Sequence, residues 1–268
     1  RSNASHVVDA SGAEVADSLI VRKRVYEDVG TYSAIKPWFE QVIANRNAKL
    51  KDGSTPMQLV LFDHALEHLT RIHRVLRTEN GHALLVGVGG SGKQSLARLA
   101  AEMADCKVFE ITLARGYNDT TFREDLKKLY NILGVQNLPT MFLFTDNHVV
   151  EEGFLELINN MLTTGTVPAL FADEEKDAMV NAIREDLLSN KIPVNREDGW
   201  RYLIDRCRKN LHIILAMSPI GDKLRHRCRN FPGLVNNTVI DWFTEWPKDA
   251  LLEVSASLLL NAGVPEEF

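Results

Sequence analysis

The 268-residue chain has no run of 18 or more apolar residues, so the sequence predicts no membrane-spanning helix. It carries only three cysteines, Cys106, Cys207 and Cys228. Their odd number and wide spacing fit neither a zinc site nor a redox pair, and the set suggests a reducing compartment. Cys106, just ahead of an apolar run, is expected to be a small buried residue. His82, His148 and His212 lack ligand spacing and are not read as metal-binding. A formal net charge of -5 gives no global reason to expect nucleic acid as a partner. There is no internal repeat and no low-complexity segment. What is left is an ordinary globular composition, 45% hydrophobic and 25% charged, on a chain long enough for a substantial core. One large α/β domain and a domain with an appendage both fit the length. Arg1-Ser2-Asn3-Ala4 reads as a tag remnant rather than a targeting signal, which makes a fragment of a longer protein the expectation.

The stretch that organises the chain is Gly87-Val88-Gly89-Gly90-Ser91-Gly92-Lys93-Gln94-Ser95. An apolar run, Ala83-Leu84-Leu85-Val86, precedes it as a buried strand, and the spacing after it is helical through Met103. Gly87, Gly92 and Lys93 fit the phosphate-loop template G-x-x-x-x-G-K in the strand–loop–helix context the template requires. Glycines let successive N–H groups converge on one anion, the helix N-terminus adds its dipole, and Lys93 supplies a point charge for the outer phosphates. The bland alternative is a glycine turn with an exposed lysine. The template breaks at its last position. Gln94 stands where a Ser or Thr hydroxyl should reach Mg²⁺, and Ser95 lies about 100° further round the helix, closer to an inner phosphate than to the metal.

Strands and helices alternate along the chain. Residues 32–50 and 57–76 have apolar spacing for two helices, the second long and closed by Thr78-Glu79-Asn80-Gly81 with Gly81 as its C′ residue. The basic patch Val21-Arg22-Lys23-Arg24 reads as surface, and residues 51–56 as a turn. Strands are expected at residues 83–86, 107–112, 140–145, 211–217 and 237–243, and helices at 122–133, 151–162, 173–188 and 200–207. That order predicts an α/β fold, a mostly parallel sheet with helices on both faces.

A phosphate loop needs a metal-binding acid at the end of a neighbouring strand. Asp146, closing the third strand, fits, with a helix cap as its structural alternative. The next position, where a glutamate usually polarises water, holds Asn147, an amide that can orient water but cannot act as a base. Glu151 and Glu152 read as solvated helix residues. Ser218, after the fourth strand, is either a sensor of the outer phosphate or an ordinary turn serine before Pro219. Arg225 and Arg227 alternate ahead of the last strand, as a finger onto a neighbouring site or as a solvated basic face.

These residues resemble the fourth AAA+ module of axonemal dynein heavy chains, where the loop's basic residue is habitually followed by Gln-Ser. The likeness covers residues 25–260. It includes Pro56-Met57-Gln58-Leu59-Val60-Leu61-Phe62, Phe142-Leu143-Phe144-Thr145-Asp146-Asn147 and Asn230-Phe231-Pro232-Gly233-Leu234-Val235-Asn236. The resemblance implies an AAA+ P-loop NTPase three-layer sandwich with a five-stranded parallel sheet. Residues 1–80 would be an N-terminal helical lead-in, 81–260 the large subdomain, and the lid and microtubule-binding stalk would lie beyond Phe268. It further implies ATP or ADP on Gly87 to Ser95, Mg²⁺ weakly held at Asp146, and Arg225 or Arg227 pointing outward to the preceding module. The partners implied are neighbouring modules and, through the full-length protein, intermediate and light chains and microtubules, in the cytoplasm and cytoskeleton of the ciliary or flagellar axoneme. With Gln94 and Asn147 in place, the expectation is a regulatory site that holds nucleotide and turns it over slowly or not at all. A competent ATPase using Glu151 or Glu152, and a structural ring segment with a vestigial loop, are the rivals.

Overall fold

The computed structural model of the chain describes residues 30–48 and 56–261. The tetrapeptide at residues 1–4, the basic patch at 21–24 and most of the turn at 51–56 lie outside the described residues. Helix α1 (Tyr32–Ala48) buries Phe39 and Ile43. The next helix does not start at Met57. Residues 56–62 form an extended strap, and α2 (Asp63–Leu76) follows, with Phe62 still extended at ψ 165°. Four consecutive apolar residues, Leu59 to Phe62, explain the difference. A helix would bury only part of such a run, whereas the strap sinks Leu61 and Phe62 into the core and turns Leu59 and Val60 to a cavity. The Asn47 side chain holds the strap, accepting from the Met57 N–H at 2.8 Å and donating to its carbonyl at 2.9 Å. After α2 the left-handed residue is Asn80 (φ 54°), not Gly81. Gly81 is needed for another reason: a Cβ there would sit 2.0 Å from the Val75 carbonyl oxygen.

The α/β part runs β1 (Ala83–Gly87), α3 (Lys93–Met103), β2 (Lys107–Phe109), α4 (Asp119–Tyr130) with a π-helical turn at Asn131–Val135, then β3 (Thr140–Thr145). A 3₁₀ turn at Asp146–His148 leads to α5 (Gly153–Thr164), α6 (Asp173–Ala182), α7 (Arg184–Ser189) and α8 (Arg196–Asn210). The chain closes with β4 (Leu211–Met217), α9 (Lys223–Asn230), α10 (Gly233–Asn236), β5 (Val239–Phe243) and α11 (Lys248–Asn261). The single helix expected at 173–188 is broken at Ile183, whose burial together with Leu187 requires the chain to turn inward there. Strand β2 is shorter than expected because it lies at the sheet edge and pairs only with β3, over three residues.

All five strands are parallel in the order β2-β3-β4-β1-β5. Strands β1, β3 and β4 are buried throughout, and their alternate side chains feed two cores. Leu84, Val86, Phe142, Phe144, Ile213 and Leu215 face α4, α5 and α8. Ala83, Leu85, Met141, Leu143, Ile214 and Ala216 face α1, α2 and α3. The result is a three-layer α/β sandwich in which the two N-terminal helices share a core with β1 and α3. Because β4 lies between β1 and β3, the chain ends of β1, β3 and β4 open side by side at one edge, where open α/β sheets bind ligands. Among the described residues no helix is long and apolar enough to cross a membrane.

Candidate functional site

Strand β1 ends on Gly87, and a side chain there would collide with Phe243 of β5, its added Cβ 2.6 Å from the Phe243 Cβ. The chain then bends through Gly90 (φ 79°) and Gly92 (φ 87°), a backbone region that L side chains rarely adopt, and enters α3 at Lys93. The Lys93 ammonium folds back over this loop. It donates to the carbonyls of Gly87 at 2.6 Å and Val88 at 2.7 Å, and to Ser91 Oγ at 3.1 Å. Ser91 Oγ in turn donates to the Val88 carbonyl at 2.9 Å. Partial burial pulls the Lys93 pKa down, and the charge of Asp146 opposes that shift. Val88, Gly89 and Gly90 are exposed. The loop therefore offers an accessible rim, with a lysine charge gathered at its centre.

The two residues after the lysine turn away from each other's tasks. Gln94 is exposed, and its Oε1 accepts from Arg98 Nη2 at 3.4 Å, while Arg98 grips Glu110 bidentately at 2.7 and 2.9 Å. Ser95 lines a cavity of about 200 Å³ beside the loop. Leu59 and Val60 of the strap, His68 of α2, and Phe243 and Trp246 at the end of β5 also line it. These walls are braced. Phe62 meets Trp246 edge-on at 5.3 Å, and His68 stacks on Phe243 at 3.9 Å with Nδ1 2.8 Å from buried Asp241. Sequence reasoning missed this cavity because its walls come from segments that are far apart in the chain.

Asp146 stands across from Lys93 at the end of β3, and does not cap a helix with its side chain. Its Oδ2 accepts from the Ser218 N–H at 2.5 Å and its Oδ1 from Arg227 Nη1 at 2.6 Å. Ser218 thus contributes its backbone, while its Oγ accepts from the Ile220 N–H at 3.3 Å as a turn serine does. Asn147 is exposed and puts an amide, not a carboxylate, in the position after Asp146.

The expectation that Arg225 or Arg227 points outward is corrected for Arg227. Arg227 is buried against its own module, on Asp146 and, through Nε at 3.2 Å, on Glu152. Arg225 is exposed. The signal was present in the spacing: two residues along a helix is about 200° of rotation, so Arg225 and Arg227 must face opposite ways on α9.

Glycine-rich loop, lysine-headed helix and strand-end acid on a five-stranded parallel sheet define a P-loop module. A family model described as the P-loop containing dynein motor region D4 matches residues 57–268. The chain is 58% identical over 247 residues to the dynein-1-alpha heavy chain of the flagellar inner arm I1 complex of Chlamydomonas reinhardtii, covering 92% of this chain and 5% of that protein. It is 56% identical over 245 residues to human dynein axonemal heavy chain 10, covering 91% of this chain and 5% of the relative. Against the Chlamydomonas dynein-1-beta heavy chain of the same complex it is 47% identical over 240 residues, 90% of this chain and 5% of the relative. The chain belongs to the dynein heavy-chain family, as a P-loop part of its motor region. It spans about 5% of the length of these relatives.

Proposed function

We propose that this chain is a nucleotide-holding regulatory module, the fourth AAA+ module of an axonemal dynein ring, with weak or absent hydrolysis of its own. In that reading ATP or ADP places its phosphates on Gly87 to Ser95 and its base in the adjoining cavity. The observation that carries it is the Lys93 ammonium, held by three oxygen acceptors in a loop whose Gly90, Ser91 and Gly92 line a braced cavity. Phosphate oxygens are stronger acceptors for an ammonium than backbone carbonyls are, so the lysine is poised to exchange partners. The Lys93 charge and the α3 N-terminus supply binding, and the loop glycines supply backbone N–H donors.

Mg²⁺ fits these residues poorly. Both Asp146 oxygens already accept hydrogen bonds, Gln94 leans on Arg98, and Asn147 supplies no base. Weak turnover follows from that donor set, since loss of a base alone costs about 10²–10⁴-fold in rate. Such a module would act by holding nucleotide between its neighbours. Through the full-length protein it would tune ATP-driven, microtubule-based movement in cilia and flagella, alongside intermediate and light chains and within the axonemal cytoskeleton.

Calorimetry of ADP and ATP on this chain, with Lys93→Ala beside it, tests the reading. Loss of one charge-assisted contact predicts about 10- to 100-fold weaker binding in the variant, from about 1.5–3 kcal/mol. Steady phosphate release abolished by Lys93→Ala would establish a competent ATPase instead, and absence of binding by the unsubstituted chain would leave a structural ring segment.

A further inference from the structure

Both oxygens of the carboxylate that follows β3 accept a hydrogen bond from their own chain. Asp146 Oδ1 receives Arg227 Nη1 at 2.6 Å and Oδ2 receives the Ser218 N–H at 2.5 Å. The Arg227 side chain is 8% exposed and spans Asp146 and Glu152, with Nη1 also 3.8 Å from Met217 Sδ. Removing one partner of a buried pair is strongly destabilising, and of the two carboxylates on Arg227, Asp146 is the nearer, at 2.6 Å against 3.2 Å for Glu152.

A divalent cation would have to enter beside that arrangement. Mg²⁺ demands near-ideal octahedral geometry and sheds its waters reluctantly, and it usually relies on one or two carboxylates together with the phosphates. Each Asp146 oxygen keeps a second lone pair, but a divalent cation seated there would lie against the positive Arg227 guanidinium, 2.6 Å from Oδ1, and be repelled by it. No hydroxyl follows Lys93 to offer a second protein ligand. Gln94 fills that position and is turned to Arg98, which Glu110 holds in place. Meanwhile the electrostatic task is already met. Lys93 lies close enough to Asp146 to feel its charge, and Arg227 neutralises the carboxylate from the other side.

We infer that Arg227 is a resident cation of this site: it takes the place of the divalent metal at Asp146, so that nucleotide binding does not require Mg²⁺. Arg227 acts through Asp146 and is a positioning residue. The inference rests on the reading that the loop binds nucleotide, and deepens it by assigning the metal-free form of the nucleotide as the ligand.

The test is the ratio of ADP dissociation constants measured with EDTA and with excess Mg²⁺. It is measured by calorimetry on the 268-residue chain and its Arg227→Gln, Arg227→Lys and Arg229→Gln variants. In the unsubstituted chain the ratio should stay within about threefold, because the Arg227 guanidinium opposes a second cation at Asp146. Arg227→Gln frees Asp146 for coordination, and the ratio should rise to about tenfold or more. Arg227→Lys keeps the charge and should restore a small ratio, and exposed Arg229→Gln should match the parent chain. A parent ratio above about tenfold, or an Arg227→Gln ratio unchanged in a folded variant, overturns the inference while leaving the nucleotide site standing. No ADP binding in either buffer removes the nucleotide reading and this one with it.

A second measurement needs no variant, in case Arg227→Gln does not fold. Mn²⁺ titrated into the parent chain with ADP and followed by electron paramagnetic resonance should bind no more tightly than to ADP alone. Affinity raised about tenfold by the protein would show a working metal ligand set and sink the proposal.

Discussion

Two histidines guard the entry of the central strands. His82, one residue ahead of β1, accepts the Ile213 N–H on its Nδ1 at 3.0 Å, and only a neutral imidazole can accept there. His212 Nδ1 lies 2.9 Å from the Gly81 carbonyl. Burial pushes the His82 pKa down to about 4, with the charges of His212 and Arg208 adding to the shift, and burial also lowers His212. The unfolded chain therefore takes up protons near pH 6.5 that the folded one refuses until about pH 4. Stability is complete above that window and falls as pH drops through it, by up to about 3 kcal/mol from His82. Melting temperatures between pH 7.5 and pH 5 should fall steeply in the parent chain and less steeply in His82→Asn, with a residual slope from His73, His148 and His212, which burial also lowers. An equal slope in both would show that His82 is not the group responsible.

At the scale of elements, the sharpest joint is the one between α2 and β1. A Cβ on Gly81 would sit 2.0 Å from the Val75 carbonyl oxygen and 2.9 Å from that of Thr78, and both are backbone atoms that no rotamer change can clear. Gly81→Ala should cost about 2 kcal/mol or more, read as a lower urea midpoint at unchanged slope. A loss below about 0.5 kcal/mol would mean that the α2–β1 joint is plastic. The sequence could show the glycine's importance, though it suggested a helix cap as the reason. Strands β3 and β4 were legible to the residue, because a strand buried on both faces is a mostly apolar run set off by polar residues, Thr140 and Thr145 in β3, Asn210 and Ser218 around β4. The strap, the break at Ile183 and helix α11 were not. The strap is non-helical for tertiary reasons, Ile183 turns to reach a core built by α8, and α11 carries Leu251, Leu252, Leu258 and Leu259 exposed, with no clean apolar stripe to betray it. The candidate site divides in the same way. Loop spacing is local and was readable, whereas the bond from Arg227 to Asp146 joins residues 81 apart.

Across the whole molecule, the cavity beside the loop is where the two ends of the described chain meet. The strap before α2 forms one wall, Phe243 and Trp246 form another, and α11 closes over them with Val254 and Leu258. The Lys36–Glu253 ion pair at 2.5 Å ties α1 to the same closure. A ligand seated there contacts segments that are far apart in the chain, so binding should register as global stability. At about 100 times the dissociation constant, binding to the folded state alone adds about 2.7 kcal/mol. For a chain of this size that is a rise in melting temperature of about 5–10 °C, at about 2–4 °C per kcal/mol. ADP should produce it, Lys93→Ala should lose most of it, and Trp246→Ala should weaken it by removing a cavity wall without touching the phosphate loop. A chain whose melting temperature ignores millimolar ADP and ATP would be using its loop as a rigid corner of the fold, and the module's contribution to a motor would then be architectural.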